Sequence, residues 1–296
     1  MNHQHPHFSK STVEVALAAL CWGLSGGIGG ILMADGWDPY LTSFYRGSIG
    51  LIFILTWILI SPKSAGFANP KLWGWSFIAG LGVAGNFTFY LISINEGSVA
   101  VAATLMYCAP VFVYIASFVL KLEQATPLKI FAIGVVIVGI VLLTRVYDVG
   151  ASGVTILGIA AGLMAGVSYA LFIFGFKYAA RHGSSQEILT IAFSVLALVL
   201  IWPAHMGQTS EIVQSFNAWP LFIALGVLGA GISFVFYVKG LYYTAPTIAS
   251  ILAMIEPVTA SLFGLFLLNE SLDGIQFFGM GLILLTVTAL SVKSDT

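Results

Sequence analysis

Long apolar stretches separated by short polar gaps constrain the fold of this chain more than any other feature. A helix needs about 20 apolar residues to cross the hydrocarbon core of a bilayer. Ten such stretches follow one another at about 12–33, 40–60, 72–94, 98–120, 128–145, 153–179, 187–206, 218–241, 245–268 and 274–292. They do not alternate apolar and polar residues as membrane-barrel strands do. The pattern therefore predicts an all-α membrane protein with ten transmembrane helices, called spans 1 to 10 below.

The composition agrees with a membrane location. Charged residues make up 8% of the chain and hydrophobic residues 59%, whereas about a quarter of a soluble domain is charged. The net charge of −1 provides no field that would attract nucleic acid. Both cysteines lie inside apolar stretches, so we expect buried thiols and no disulfide. No metal site and no cofactor are predicted, and the first span has no evident cleavage site.

Lysine and arginine residues set the expected orientation. If the N-terminus is cytoplasmic and the spans alternate, the outer side holds Arg145 alone. The inner side then holds nine basic residues: Lys10, Lys63, Lys71, Lys121, Lys129, Lys177, Arg181, Lys239 and Lys293. Because basic residues accumulate on the cytoplasmic side, we expect both termini in the cytoplasm.

The chain also repeats itself with an offset of 147 residues. The shift places Pro110 on Pro257, Gly82 on Gly229, Phe87 on Phe234, Phe89 on Phe236, Tyr90 on Tyr237 and Glu123 on Glu270. Each repeat holds five spans, and five is odd, so the second repeat enters the membrane from the opposite side. We predict two inverted five-helix repeats, 1–147 and 148–296, in one membrane unit. Such repeats place a substrate site near the midplane.

Glycine spacing predicts close packing of helices inside this bundle. Gly23-x-x-x-Gly27 lies in span 1 and Gly162-x-x-x-Gly166 in span 6. Glycines four residues apart share one helix face and let two backbones approach closely.

Several motifs resemble those of the EamA branch of the drug/metabolite transporter superfamily. They are "LAALCWGLSG" in span 1, "PYLTSFYRGSIGLI" in span 2 and "EPVTASLFGLFLLNE", residues 256–270, which begins in span 9. The resemblance covers essentially the whole chain and implies a transporter in a bacterial cytoplasmic (inner) membrane. Its partners would be a small-molecule substrate and the lipid bilayer, with the protein as a monomer or homodimer. Bacterial members commonly export amino acids, including aromatic ones, while others move drugs, sugars or nucleotide derivatives.

An acid and a proline stand together in the middle of span 9. A charged side chain at the bilayer centre costs about 2.5–3.5 kcal/mol on insertion scales, so Glu256 must face a partner or a wet cavity. It is a candidate substrate-amine or proton site, or else a carboxylate held in structural hydrogen bonds. Pro257 and its repeat mate Pro110 should each kink a helix. We expect them to shape a gate or hinge, with a static bend as the alternative.

Arg46 lies about two turns below the predicted outer end of span 2. It could anchor a substrate carboxylate or form a gate ion pair. Alternatively, its guanidinium reaches the outer interface or caps helix ends. Of these two interpretations we favour the second.

Aromatic residues at middle depth suggest the lining of a pocket. Interfacial belts would place Trp and Tyr at the span ends instead. The candidates are Trp22, Tyr90, Tyr107, Tyr169 and Tyr237, with Ser25, Asn86, Ser168 and Ser233 as possible hydrogen-bonding groups. Aromatic rings with polar tips suit flat substrates with polar groups. Ordinary core packing and interhelical hydrogen bonds are the alternatives.

Three classes of function compete. An alternating-access carrier that exports amino acids or related metabolites fits best, and an exporter of drugs or cationic compounds is its main rival. An intramembrane aspartyl protease would need two embedded aspartates, but every aspartate falls at a gap or terminus. A channel would show rings of charges or carbonyl-rich loops, and neither stands out. We therefore predict a transporter and no enzyme.

Overall fold

The structure is a computed structural model that describes residues 5–61, 67–109, 111–112, 115, 118, 126–145, 147, 153–243 and 255–293. Within these residues every regular element is helical. In chain order the α-helices are α1 (His5–Ala34), α2 (Pro39–Ile60), α3 (Pro70–Asn95), α4 (Val99–Met106), α5 (Pro127–Thr144), α6 (Ile156–Ala179), α7 (Ser185–Leu200), α8 (Thr209–Gln214), α9 (Ala218–Gly226), α10 (Ser233–Tyr243), α11 (Ile255–Leu267) and α12 (Gly274–Lys293). A π-helical turn, Val227–Ile232, joins α9 to α10.

Each of the ten predicted spans contains at least one described helix. Within the described part of the chain, five segments are long and apolar enough to cross a membrane: Thr12–Ala34, Pro39–Ile60, Pro70–Asn95, Ile156–Ala179 and Ala218–Gly240. Shorter apolar helices occupy Ile130–Leu143, Ser185–Leu200, Ile255–Leu267 and Gly274–Thr286. The all-helical class is confirmed, and the crossing of all ten spans stays a prediction.

Local sequence explains where several helices begin and end. Asp38 accepts a hydrogen bond from the Leu41 N–H at 2.7 Å, and Pro39 opens α2, a position where a missing N–H has no consequence. The predicted end of span 7 at residue 206 was wrong, because α7 ends at Leu200. Pro203 follows soon after Leu200, and a helix usually ends at or before the residue that precedes a proline.

Helices from the two repeats pack against each other throughout the bundle. α1 contacts α10 and α11, α3 contacts α6 and α7, and α2 contacts α7 and the π-helical turn. The predicted close packing at glycines is confirmed. A Cβ atom on Gly23 would overlap the Glu256 carbonyl and Thr259, and one on Gly27 would overlap the Phe263 ring.

One contact between helices occurs twice in the protein, at positions that the 147-residue repeat relates. Gly229 leaves room for Ser25, because a Cβ atom at Gly229 would overlap the Ser25 side chain. Gly82 leaves room for Phe172 in the same way. The 147-residue shift carries Ser25 onto Phe172 and Gly82 onto Gly229. The contact between α1 and the π-helical turn therefore matches the contact between α6 and α3.

Candidate functional site

Glu256 lies inside the protein and is hydrogen-bonded to a tyrosine from the other repeat. It is the second residue of α11 and is only 4% exposed. The Tyr107 hydroxyl, at the end of α4, donates to Glu256 Oε2 at 2.7 Å. The predicted acid therefore faces a protein partner, and its hydrogen bond joins the two repeats.

Aromatic rings predicted from the sequence surround this pair. Tyr107 and Tyr169 have ring centroids 5.8 Å apart. The rings of Trp22 and Tyr237 are 5.0 Å apart. Phe172 packs against Tyr169 at 4.5 Å and Phe234 against Trp22 at 5.3 Å, and these two phenylalanine rings are 6.4 Å apart, so they join the two pairs. The fold thus brings the five predicted rings into one buried region, to which Phe87, Phe172 and Phe234 also belong.

Arg46 points into the bundle, contrary to the interpretation favoured from sequence. It is 4% exposed, and its Nη2 donates to Ser25 Oγ and to the Gly229 carbonyl, both at 3.1 Å. Its Cζ lies 3.8 Å from the centroid of the Phe87 ring. These partners belong to α1, α3 and the π-helical turn, so the guanidinium does not reach the outer interface.

The π-helical turn supplies the carbonyl that Arg46 binds. Because π-helical hydrogen bonds run from residue i to i+5, this turn departs from the α-helical pattern, and such turns are frequent at functional sites. Sequence reasoning missed it. Residues 80–85, which the repeat places on 227–232, lie in the uninterrupted helix α3, so the repeat itself predicted an ordinary helix.

Two of the four predicted hydrogen-bonding residues, Ser25 and Asn86, have different roles. Ser25 Oγ donates to the Trp22 carbonyl at 2.8 Å and accepts from Arg46, so it positions the guanidinium. Asn86 Nδ2 donates to the Ala165 carbonyl at 3.1 Å. That bond joins α3 to α6 and agrees with the interhelical alternative.

Of the two predicted hinge prolines, the structure describes Pro257 and not Pro110. Pro257 is buried beside Glu256 near the start of α11. Pro110 and residues 244–254 lie outside the described residues. The hinge assigned to this proline pair therefore stays a prediction.

Glu270 has a capping role that sequence reasoning did not identify. It follows α11, and its carboxylate accepts hydrogen bonds from the N–H groups of Val99 at 2.7 Å and Ala100 at 3.3 Å. These N–H groups open α4, and a helix N-terminus favours a negative charge. Burial raises the pKa of Glu270, and the two hydrogen bonds act in the opposite direction.

Among the described residues, no cluster of His, Cys, Asp and Glu could hold a metal ion. The candidate site therefore consists of one acid, one guanidinium and a group of aromatic rings. Two charges of opposite sign in a buried aromatic setting can bind a small polar molecule and orient it.

Comparison with known proteins gives a consistent result. Residues 12–145 and 156–292 each match the EamA-like transporter family. An uncharacterized transporter from Archaeoglobus fulgidus is 29% identical over 84% of this chain and 85% of its own. The threonine/homoserine exporter RhtA from Escherichia coli K12 is 27% identical over 67% of this chain and 64% of its own. A protein crystal structure at 18% identity has a TM-score of 0.62, covering 97% of this chain and 99% of that one, and shows a shared fold.

Proposed function

Because this chain belongs to the EamA-like transporter family, we propose that it exports amino acids or related small metabolites by alternating access. The family and its relatives are transporters, so the prediction of a transporter and no enzyme is confirmed. The substrate and the direction of transport belong to the proposal.

The proposed architecture is ten membrane spans arranged as two inverted repeats. Two family matches in one chain support this arrangement. It is also supported by the matched contacts of Ser25 with Gly229 and of Phe172 with Gly82. In such carriers the substrate site lies between the repeats, and the two halves rock around it.

The observation that carries the proposal is the buried hydrogen bond between Tyr107 and Glu256. Tyr107 belongs to the first repeat and Glu256 to the second, so movement of one half against the other would change this bond. A substrate ammonium group is a suitable replacement partner for the carboxylate. We assign Pro257, next to Glu256, and Pro110 to the hinge of this movement.

The printed name of one relative supports the substrate class. RhtA is an exporter of threonine and homoserine, and both are amino acids with an ammonium group. The rival proposal, an exporter of drugs or cationic compounds, is favoured by the same acid among aromatic rings, which is a common environment for organic cations. The two proposals differ in whether the substrate must carry a carboxylate.

Counterflow in proteoliposomes containing only the purified protein tests the proposal. Vesicles preloaded with unlabelled L-threonine, L-homoserine or L-phenylalanine should accumulate the same labelled amino acid transiently. Protein-free vesicles are the control. Counterflow with organic cations and with none of the amino acids would contradict the proposed substrate class.

A further inference from the structure

We propose that Arg46, Tyr90 and Ser233 form a subsite for a substrate carboxylate, opposite an ammonium site at Glu256. The substrate would then be a zwitterionic α-amino acid. This inference rests on the proposed function and deepens it, because it states which chemical groups the substrate must carry.

Arg46 is held in place and still has an unused donor. Both of its hydrogen bonds to Ser25 and Gly229 use Nη2, which fixes the plane of the guanidinium. Its Nε is buried and has no hydrogen-bond partner among the described residues. An unpaired buried donor is costly, and a carboxylate is the partner whose geometry best fits a guanidinium.

Two hydroxyl groups, one on α3 and one at the start of α10, also lack a hydrogen-bond partner among the described residues. Tyr90 Oη and Ser233 Oγ are buried, and neither finds a partner within the described part of the chain. Tyr90 Oη packs against Gly26, the residue that follows Ser25, the hydroxyl partner of Arg46. Ser233 follows Gly229, the carbonyl partner of Arg46, by four residues. In the proposed subsite, the three side chains donate hydrogen bonds to one carboxylate group of the substrate.

The charges of the site match a zwitterion. Arg46 and Glu256 are both buried, each with 4% exposure, and these two described residues form no direct ion pair with each other. They therefore present two separate charges of opposite sign. A simple cation would satisfy Glu256 but would leave Arg46 uncompensated and repelled. An α-amino acid supplies both partners, so the geometry favours it over the cationic alternative.

Pairs of probes that differ only in the carboxylate test this inference. Labelled L-threonine counterflow is measured with unlabelled L-threonine or L-threoninol as competitor, and L-phenylalanine is paired with L-phenylalaninol. In the wild-type protein each amino alcohol should compete at least tenfold more weakly than its amino acid. Arg46→Gln should raise the KM for the amino acid at least tenfold and leave inhibition by the amino alcohol nearly unchanged.

Milder variants keep the test decisive if Arg46→Gln fails to fold. Tyr90→Phe and Ser233→Ala should each reduce the preference for the carboxylate several-fold. Thr88→Val is the matched control. Thr88 also has a buried hydroxyl with no partner among the described residues, but it lies two residues from Tyr90 and so on a different helix face. This control should leave the preference unchanged.

The outcomes separate the two proposals. If wild-type vesicles show no counterflow with either amino acid, the proposed function fails and the subsite fails with it. If counterflow occurs but amino alcohols compete as well as amino acids, only the subsite is overturned. Equal weakening of both probes by Arg46→Gln would also contradict a carboxylate subsite and would assign Arg46 to packing.

Discussion

Corresponding positions in the two halves of the molecule carry different chemistry. In the first half the guanidinium of Arg46 lies 3.8 Å from the centroid of the Phe87 ring. In the second half Phe193, 147 residues after Arg46, packs edge-on against Phe234 with ring centroids 5.1 Å apart. Both halves therefore keep the phenylalanine packing partner, Phe87 or Phe234, but only the first half has a charged residue packed against it.

The same asymmetry applies to the acid. The repeat mate of Glu256 is Ala109, which is buried and apolar. Each half therefore contributes one charge, at a position where the other half has an apolar residue. The repeat sets where the side chains lie, and single differences between the halves place the buried arginine in the first repeat and the buried acid in the second.

Removal of the single acid should have the largest effect. Glu256→Gln keeps the shape of the side chain but loses the charge, so we expect transport to fall more than tenfold. Initial rates of amino-acid counterflow would measure this. Glu211→Gln makes the same chemical change at an exposed position and should leave the rate unchanged. A normal rate in Glu256→Gln at every pH would assign Glu256 a structural role only.

Alanine substitutions at Gly82 and Gly229, which the repeat relates, should affect stability and transport to different degrees. A Cβ atom at Gly82 would overlap the backbone of Phe172, so Gly82→Ala should lower the free energy of unfolding by about 1–3 kcal/mol. A Cβ atom at Gly229 would instead meet the side chains of Arg46 and Ser25. Gly229→Ala should therefore reduce transport more than it reduces stability.

Thermal unfolding and counterflow, measured on both glycine variants, check this contrast. Loss of stability without loss of specific transport activity in Gly229→Ala would contradict the role assigned to the Arg46 contact. So would an equal loss of stability in the two variants.

Substitution of Glu270 should have the smallest effect. At this position the two halves share a residue, because the repeat mate of Glu270 is Glu123. Glu270→Ala would remove the acceptor for the N–H groups of Val99 and Ala100, which should cost about 1 kcal/mol of stability. Thermal unfolding of the wild-type protein and of Glu270→Ala in detergent would measure this cost.

The pH dependence has a defined sign. Burial raises the folded-state pKa of Glu270 above its ordinary value, so its contribution to stability is greatest below the unfolded-state pKa. That contribution decreases as the pH rises through the folded-state pKa. Glu270→Gln cannot ionise and should show a smaller decrease over this range. A larger decrease in the variant would contradict the assigned direction.

The sequence predicted those features that depend on composition and spacing. Apolar length identified the helices, and the burial of Glu256 followed from the high cost of a charge in lipid. The inward direction of Arg46 was not predictable, since a long side chain can reach either an interface or the interior. The π-helical turn has no counterpart at the matching residues 80–85 of the first repeat, and the cap from Glu270 depends on a tertiary contact with α4. Local sequence patterns contain neither piece of information.

We propose that the buried region around Arg46 and Glu256 binds the substrate, and accessibility of a cysteine in this region tests it directly. Ser233→Cys, in a background where Cys21 and Cys108 are replaced by alanine, places one small reactive group in the proposed subsite, four residues after Gly229. Reaction with a membrane-impermeant thiosulfonate would be followed in proteoliposomes with and without L-threonine, with Ser210→Cys in an exposed region as the control. If this region binds the substrate, L-threonine should slow labelling at position 233 several-fold and leave position 210 unaffected. Labelling at position 233 that is insensitive to L-threonine, in a variant that still transports it, would show that the substrate binds elsewhere.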